Sequence, residues 1–204
     1  MNVLFWKRQA RTWHWMSGAV CLVGVLLFSA TGITLNHAHQ IPATPVTESR
    51  TAVLPPEQVA LLAGFVAGEA SGLAVLPVEV SDWLAEHLGV RTGGLDAEWT
   101  DVDAYVALPR PGGDAWLSID FASGEAVYER TTRGAVAYLN DLHKGRNTGS
   151  AWAWFIDIFA VACVLFCLTG LWLLQMQARR HRSTWPLTVA GLALPIALVV
   201  LFIH

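Results

Sequence analysis

The chain predicts a membrane protein of three transmembrane helices, with a small α+β domain carried between the first and the second. Three observations predict it. Residues 15–35, 158–178 and 185–203 are apolar runs of 21, 21 and 19 residues without a charge. A bilayer core about 30 Å thick needs roughly 20 such residues at about 1.5 Å rise each. The long segment between the first two runs instead alternates and breaks as a folded domain does. Finally, the 204 residues are 54% hydrophobic and only 14% charged, against about 25% charged in an average soluble domain.

Charge placement orients the spans. Lys7, Arg8 and Arg11 precede the first run, and Arg179, Arg180 and Arg182 lie between the second and third. The positive-inside bias puts both clusters in the cytoplasm. The expected order is a cytoplasmic N-terminus (1–12), helix (13–36), exterior domain with an N-terminal linker (37–150), helix (151–176), cytoplasmic loop (177–184) and helix (185–203). The first run exceeds the 7–15 residues of a signal-peptide h-region, and LNHAHQIPA after it is no small-x-small cleavage site, so it reads as a span. The chain reads as a multi-pass membrane protein.

Within the exterior segment, residues 40–56 are rich in proline and threonine and read as linker. Pro55-Pro56-Glu57 opens a helical pattern to about Ala70. Leu73–Val80 suits a strand, and Ser81 is placed to cap a short helix, Asp82 to Leu88, ended by Gly89. Residues 101–108, 115–121 and 125–130 alternate as strands, separated by the turn chemistry of PRPGGD and Ala122-Ser123-Gly124. Residues 132–142 return to helical spacing and lead to His143. One helical layer on an antiparallel sheet is the expectation.

This segment holds 15 acidic residues against seven basic ones, which argues against nucleic acid as a partner. All three cysteines (Cys21, Cys163, Cys167) fall inside spans, so the domain has no disulfide framework. Cys163 and Cys167 share a helix face and read as packing. Across the spans, LFSATGITL at 27–35 echoes LFCLTGLWL at 165–173. The small residues of Thr31-Gly32 and Thr169-Gly170 would let a helix or a flat cofactor come close.

The histidines carry most of the candidate chemistry. His14 and His37 bracket the first span, and His143 and His181 bracket the second. His14 and His37 are 23 residues apart, about 35 Å along a helix, so they cannot serve one metal. Antiparallel helices bring His37 to the level of His143 outside, and His14 to that of His181 inside. A bis-histidine haem needs two imidazoles from different helices. The outer pair meets that need, and His14 with His181 is the weaker inner pair. Lys144 and Arg146 suit propionates outside, Arg11 and Arg180 inside. His39 is the rival of His37, His87 reads as a surface residue, and His204 is a terminus. The same histidines and tryptophans also suit a bare membrane interface. No HExxH, no CxxCH and no phosphate loop occurs, so any haem b is non-covalent and its electrons come from a partner or a quinol. Asp157, the acidic residue inside a membrane run, is a candidate proton relay or a partner to the ligand shell.

The stretches RTWHWMSG…LLFSATGITLNH, WLSIDFASGEAVYER and LNDLHKGRNTGSAWAWFID resemble the PepSY-associated transmembrane helix family, in a short three-span form. The resemblance covers the first two spans and both ends of the exterior segment, with residues 38–95 and the third span poorly covered. Asp120, Ser123, Gly124 and Glu125 followed by LHKG make its most specific combination. Longer members include haem-containing reductases of ferric siderophores. The resemblance therefore implies an inner-membrane protein with a PepSY-like periplasmic unit and a role in iron acquisition. The family's boundary histidines correspond to His14 and His143, and His37 is added from depth and spacing. One PepSY-like unit and three spans are fewer than the longer members have, so a homodimer or a hetero-partner would complete an electron path. The expected function is outward electron transfer through one or two haems to ferric iron or a ferric siderophore. The alternative is an anchored PepSY-like binding or inhibitory module acting on a peptidase or transporter, without redox activity.

Overall fold

The structure, a computed structural model, describes residues 3–67, 72–178 and 180–203. Six helices and six strands follow in chain order: α1 (Val3–Asn36), β1 (Val46–Val53), α2 (Pro56–Ala67), β2 (Gly72–Val75), α3 (Val78–His87), β3 (Asp96–Trp99), β4 (Asp103–Ala107), β5 (Gly113–Asp120), β6 (Glu125–Thr132), α4 (Ala135–Lys144), α5 (Ser150–Gln177) and α6 (Thr184–Phe202). They form two compact units, Met1–Ser29 with Ala153–His204, and Ala30–Trp152.

The first unit is helical. α1, α5 and α6 are each long and apolar enough to cross a membrane, and α5 and α6 bury none of their described residues. Helices satisfy their own backbone groups and present apolar side chains outward, as a lipid solvent demands. α1 and α5 meet through glycine notches on α1 that receive rings of α5. A Cβ at Gly24 would fall 2.3 Å from the Phe159 ring, and one at Gly18 would fall 3.0 Å from Phe166. Phe28 stacks on Phe159 at 5.3 Å in the same seam. Glycine here serves close packing between helices. The thiol of Cys163 lies beside that of Cys21 on α1, in keeping with a packing role. α6 is joined to α5 by the Trp185 indole N–H, which donates to Gln175 Oε1 at 3.0 Å.

The second unit is a six-stranded antiparallel sheet in the order β1-β6-β5-β4-β3-β2. β5 shows the alternation expected of it, burying Ala115, Leu117 and Ile119. Leu117 and Ile119 pack with Val106 of β4, Leu62 of α2, and Val80 and Leu84 of α3. Each such side chain, fully removed from water, contributes about 1.5–3 kcal/mol. The expected plan of a helical layer on an antiparallel sheet therefore holds.

Three local expectations are corrected. Residues 46–53, read as linker, form β1, paired along its whole length with β6. The strand expected at 73–80 ends at Val75, because Pro77 starts α3 in its place. Ser81 is then buried inside α3 and caps nothing. β3, which no alternation announced, is a short addition between β2 and β4. The helix expected to end near Ala70 is α2 as far as Ala67, and residues 68–71 lie outside the described residues.

Two turns are set by their side chains. The carboxylate of Asp120 accepts both the backbone N–H and the hydroxyl of Ser123, each at 2.7 Å. These bonds hold its carboxyl below the usual carboxylate value. In PRPGGD, Gly112 has φ +72° and lies against Tyr138 of α4, while a Cβ at Gly113 would stand 2.0 Å from the Thr131 carbonyl oxygen. Only glycine fits these two positions.

Candidate histidine sockets

The Thr-Gly echo turns out to be a pair of histidine sockets, one in each unit. In the helical unit, Thr169 and Gly170 of α5 receive His14 of α1. His14 Nδ1 lies 3.1 Å from both the Phe166 carbonyl oxygen and Thr169 Oγ1. Its Cε1 lies 3.2 Å from where a Cβ of Gly170 would be. The ring also stacks on Phe166, with centroids 4.4 Å apart and planes 12° apart.

The tautomer follows from the partners. A carbonyl oxygen only accepts, so Nδ1 carries the proton and donates it. The Thr169 hydroxyl donates back to the Leu165 and Phe166 carbonyls of its own helix, which leaves its lone pairs for His14. The neutral ring then has its lone pair on Nε2, the form in which imidazole ligates a metal. Nε2 of His14 has no hydrogen-bond partner among the described residues.

In the second unit, Thr31 and Gly32, near the end of α1, receive His143 of α4. Thr31 Oγ1 and His143 Nδ1 are hydrogen-bonded at 2.7 Å, and Cε1 lies 3.7 Å from a Cβ position at Gly32. α4 is amphipathic because its sequence LNDLHK puts polar groups where polar partners wait. Asn140, three residues before His143 and so on the same face, accepts from Thr34 Oγ1 at 2.8 Å. Asp141 is buried, accepts the Gly112 N–H at 2.8 Å, and lies 3.5 Å from the Arg133 guanidinium. Gly145, at φ +67°, closes the helix in left-handed geometry. Asn140 and Asp141 were missed in the sequence. Their signal was the i, i+3 spacing of Asn140 and His143.

The remaining candidates stand apart from these sockets. His37 is exposed, and its Nδ1 donates to the Ile33 carbonyl of its own helix at 3.0 Å. This too fixes an Nδ1–H tautomer. His39 is exposed and within 3.2 Å of Gln40 Nε2. His87 is exposed and stacked on Trp83 at 4.2 Å, in keeping with a surface residue. His181 and Arg180 are exposed beside the start of α6, where Thr184 Oγ1 donates to the His181 carbonyl. Lys144, Arg146, Arg11 and Asp157 are exposed as well, and His204 lies outside the described residues. No group of three or more His, Cys, Asp or Glu side chains converges among the described residues.

For a haem, the observation that bears on fit is the tethering of Nδ1. Axial histidines need one nitrogen pinned and the other presented, and His14 and His37 have that chemistry through a carbonyl acceptor. On this count the residues fit. Any haem must lie outside the α1–α5 seam, which Phe28, Phe159 and Phe166 fill.

Three apolar spans with a six-stranded α+β unit define a multi-pass membrane protein whose folded domain is inserted between its first two spans. The PepSY_TM-like family model matches residues 5–204, and the chain belongs to that family, with a PepSY-like domain as its folded unit. The match takes in the third span and residues 38–95, which the sequence resemblance covered poorly. No curated protein and no solved structure matches the chain.

Proposed function

We propose that the protein is an inner-membrane b-type haem protein that passes electrons outward, with the PepSY-like domain on the periplasmic side. The tethered histidines are the observation that carries this reading. His14 and His37 have their Nδ1–H committed to a helix carbonyl, and His143 has Nδ1 bonded to a threonine hydroxyl. His37 and His143 are the ligands proposed for an outer haem, and His14 for an inner one, with His181 a weaker second inner ligand. Lys144 and Arg146 are proposed for outer propionates, and Asp157 for a proton relay. Haem b, one or two per chain, would supply one-electron chemistry. The chain's own residues hold the His14 and His37 rings in one tautomer and tether the His143 ring to Thr31. A homodimer or a hetero-partner would provide missing ligands, and ferric iron or a ferric siderophore is the proposed acceptor.

The test is an oxidised-minus-reduced spectrum of the protein purified in detergent after haem-replete expression. A Soret and an α band are expected, and their absence overturns the redox reading. A second reading, an anchored binding or inhibitory module for a peptidase or transporter, is favoured by one observation. β1 is an edge strand, exposed along nearly all its length, and such an edge accepts an extended peptide. That reading predicts no pigment and a partner whose capture is lost when β1 carries a proline at Thr51.

A further inference from the structure

The helical unit carries a groove of about 910 Å³ between the first turns of α1 and the last turns of α5. Its walls are almost wholly apolar and include Trp6, Trp13, Leu168, Trp172 and Met176, and Lys7 is its charged residue. Its volume is in the range of about 300–1,000 Å³ that small-molecule sites take. The polar residues that line it are Lys7, Gln9, Thr169 and Gln175. Lys7 offers three N–H groups, and Gln175 has its Oε1 engaged by the Trp185 indole N–H. No acidic side chain lines the groove, and α1 contains none at all. The Lys7 charge is therefore uncompensated at that wall, next to Arg8 and Arg11 in the same turns of helix. No histidine lines the groove itself, although Thr169, which receives His14, is one of its walls.

We propose that this groove is a binding site for one anionic phospholipid, its phosphate on Lys7 and its acyl chain along Trp13, Leu168, Trp172 and Met176. An apolar trough with a single cation matches a molecule that is apolar along its length and negative at its head. Tryptophans at this end of a span suit the same headgroup level. Lys7 would bring the headgroup to one place, whereas loose basic residues would only enrich anionic lipid nearby.

The experiment titrates the full chain, in detergent, with phosphatidylglycerol or phosphatidylcholine and counts bound lipid by native mass spectrometry. Phosphatidylglycerol is expected to bind in preference. Lys7→Gln is expected to weaken it about fivefold, the factor that about 1 kcal/mol per basic residue gives. Trp172→Ala, at a side chain already 57% exposed and so safe for folding, weakens both lipids. Arg182→Gln, a basic residue away from the groove, leaves binding unchanged. Equal binding of the two lipids overturns the proposal, as does wild-type binding by Lys7→Gln. So does a loss in Arg182→Gln as large as in Lys7→Gln, which would mean diffuse attraction. Displacement of the lipid by millimolar inorganic phosphate would assign Lys7 to a free anion and overturn it too. Because the lipid count needs no pigment, the result stands whether or not the haem reading survives.

Discussion

At Thr169-Gly170 the imidazole of His14 lies flat on Phe166 with its Nδ1–H shared between a carbonyl and a hydroxyl, whereas at Thr31-Gly32 the imidazole of His143 arrives on a short helix anchored at two polar points. Both sockets supply a threonine oxygen for Nδ1 and a glycine that lets Cε1 approach. The first socket is made by two long apolar helices, where an aromatic ring is the available support. The second is made by a soluble-type helix, where Asn140 and the buried Asp141 can find partners. A Thr-Gly pair thus specifies that a histidine docks, and the neighbouring chain decides how firmly.

The comparison can be broken at its polar anchor first. Asp141→Ala leaves the Gly112 N–H without its acceptor and the Arg133 guanidinium without its nearest carboxylate. The cost expected is about 2–3 kcal/mol, since the lost bond is to a buried charged group. Thermal unfolding in detergent measures it, and the chemical shifts of a labelled His14 ring should stay in place while those of His143 move. Movement of both would show that the sockets are not independent.

A smaller effect is expected from the threonines. Thr31→Val removes a 2.7 Å tether and should cost about 1 kcal/mol. Thr169→Val should cost less, because the Phe166 carbonyl still holds His14 Nδ1. Equal losses in unfolding free energy would contradict the shared-donor geometry at His14.

The glycines sharpen the same contrast. A Cβ at Gly32 makes ordinary contact with His143 at 3.7 Å, while one at Gly170 stands 3.2 Å from His14. Gly32→Ala should therefore gain up to about 1 kcal/mol of helix propensity. Gly170→Ala should gain less and push the imidazole off Phe166. Paired unfolding curves check the first statement, and the His14 ring shifts check the second.

The smallest effect concerns acid. Ser123 holds the Asp120 carboxyl below its ordinary value of 3.8. A carboxyl depressed in the folded state contributes stability above the unfolded value and loses it as pH falls through the folded one. Asp120→Asn should accordingly flatten the decline of unfolding midpoint below about pH 4. It should leave both histidine sockets unchanged at neutral pH.

The spans were legible because twenty uncharged apolar residues have few other uses, and β5 with β6 because alternation and a Ser-Gly turn coincide there. β1 was illegible for a physical reason: an edge strand exposed along nearly all its length has no buried face to impose a period of two. The residues around Pro77 misled in the opposite way, since an apolar run reads as a strand until the proline is seen to start a helix. The Thr-Gly echo and the boundary histidines were both visible. Their pairing was not, because it depends on how α1 meets α5 and on how α4 lies against α1. Neither crossing is written in local sequence. Asp141 was hidden for the same reason, its partner being a backbone N–H twenty-nine residues away.

The central claim is that these tethered histidines hold haem, and the direct measurement is the reduced-minus-oxidised band intensity per protein in His14→Ala, His143→Ala and the double variant. Each single change is expected to lower the Soret and α bands, and the double change to abolish them while the helix content by circular dichroism stays intact. A double variant that folds and keeps the wild-type spectrum would contradict the account.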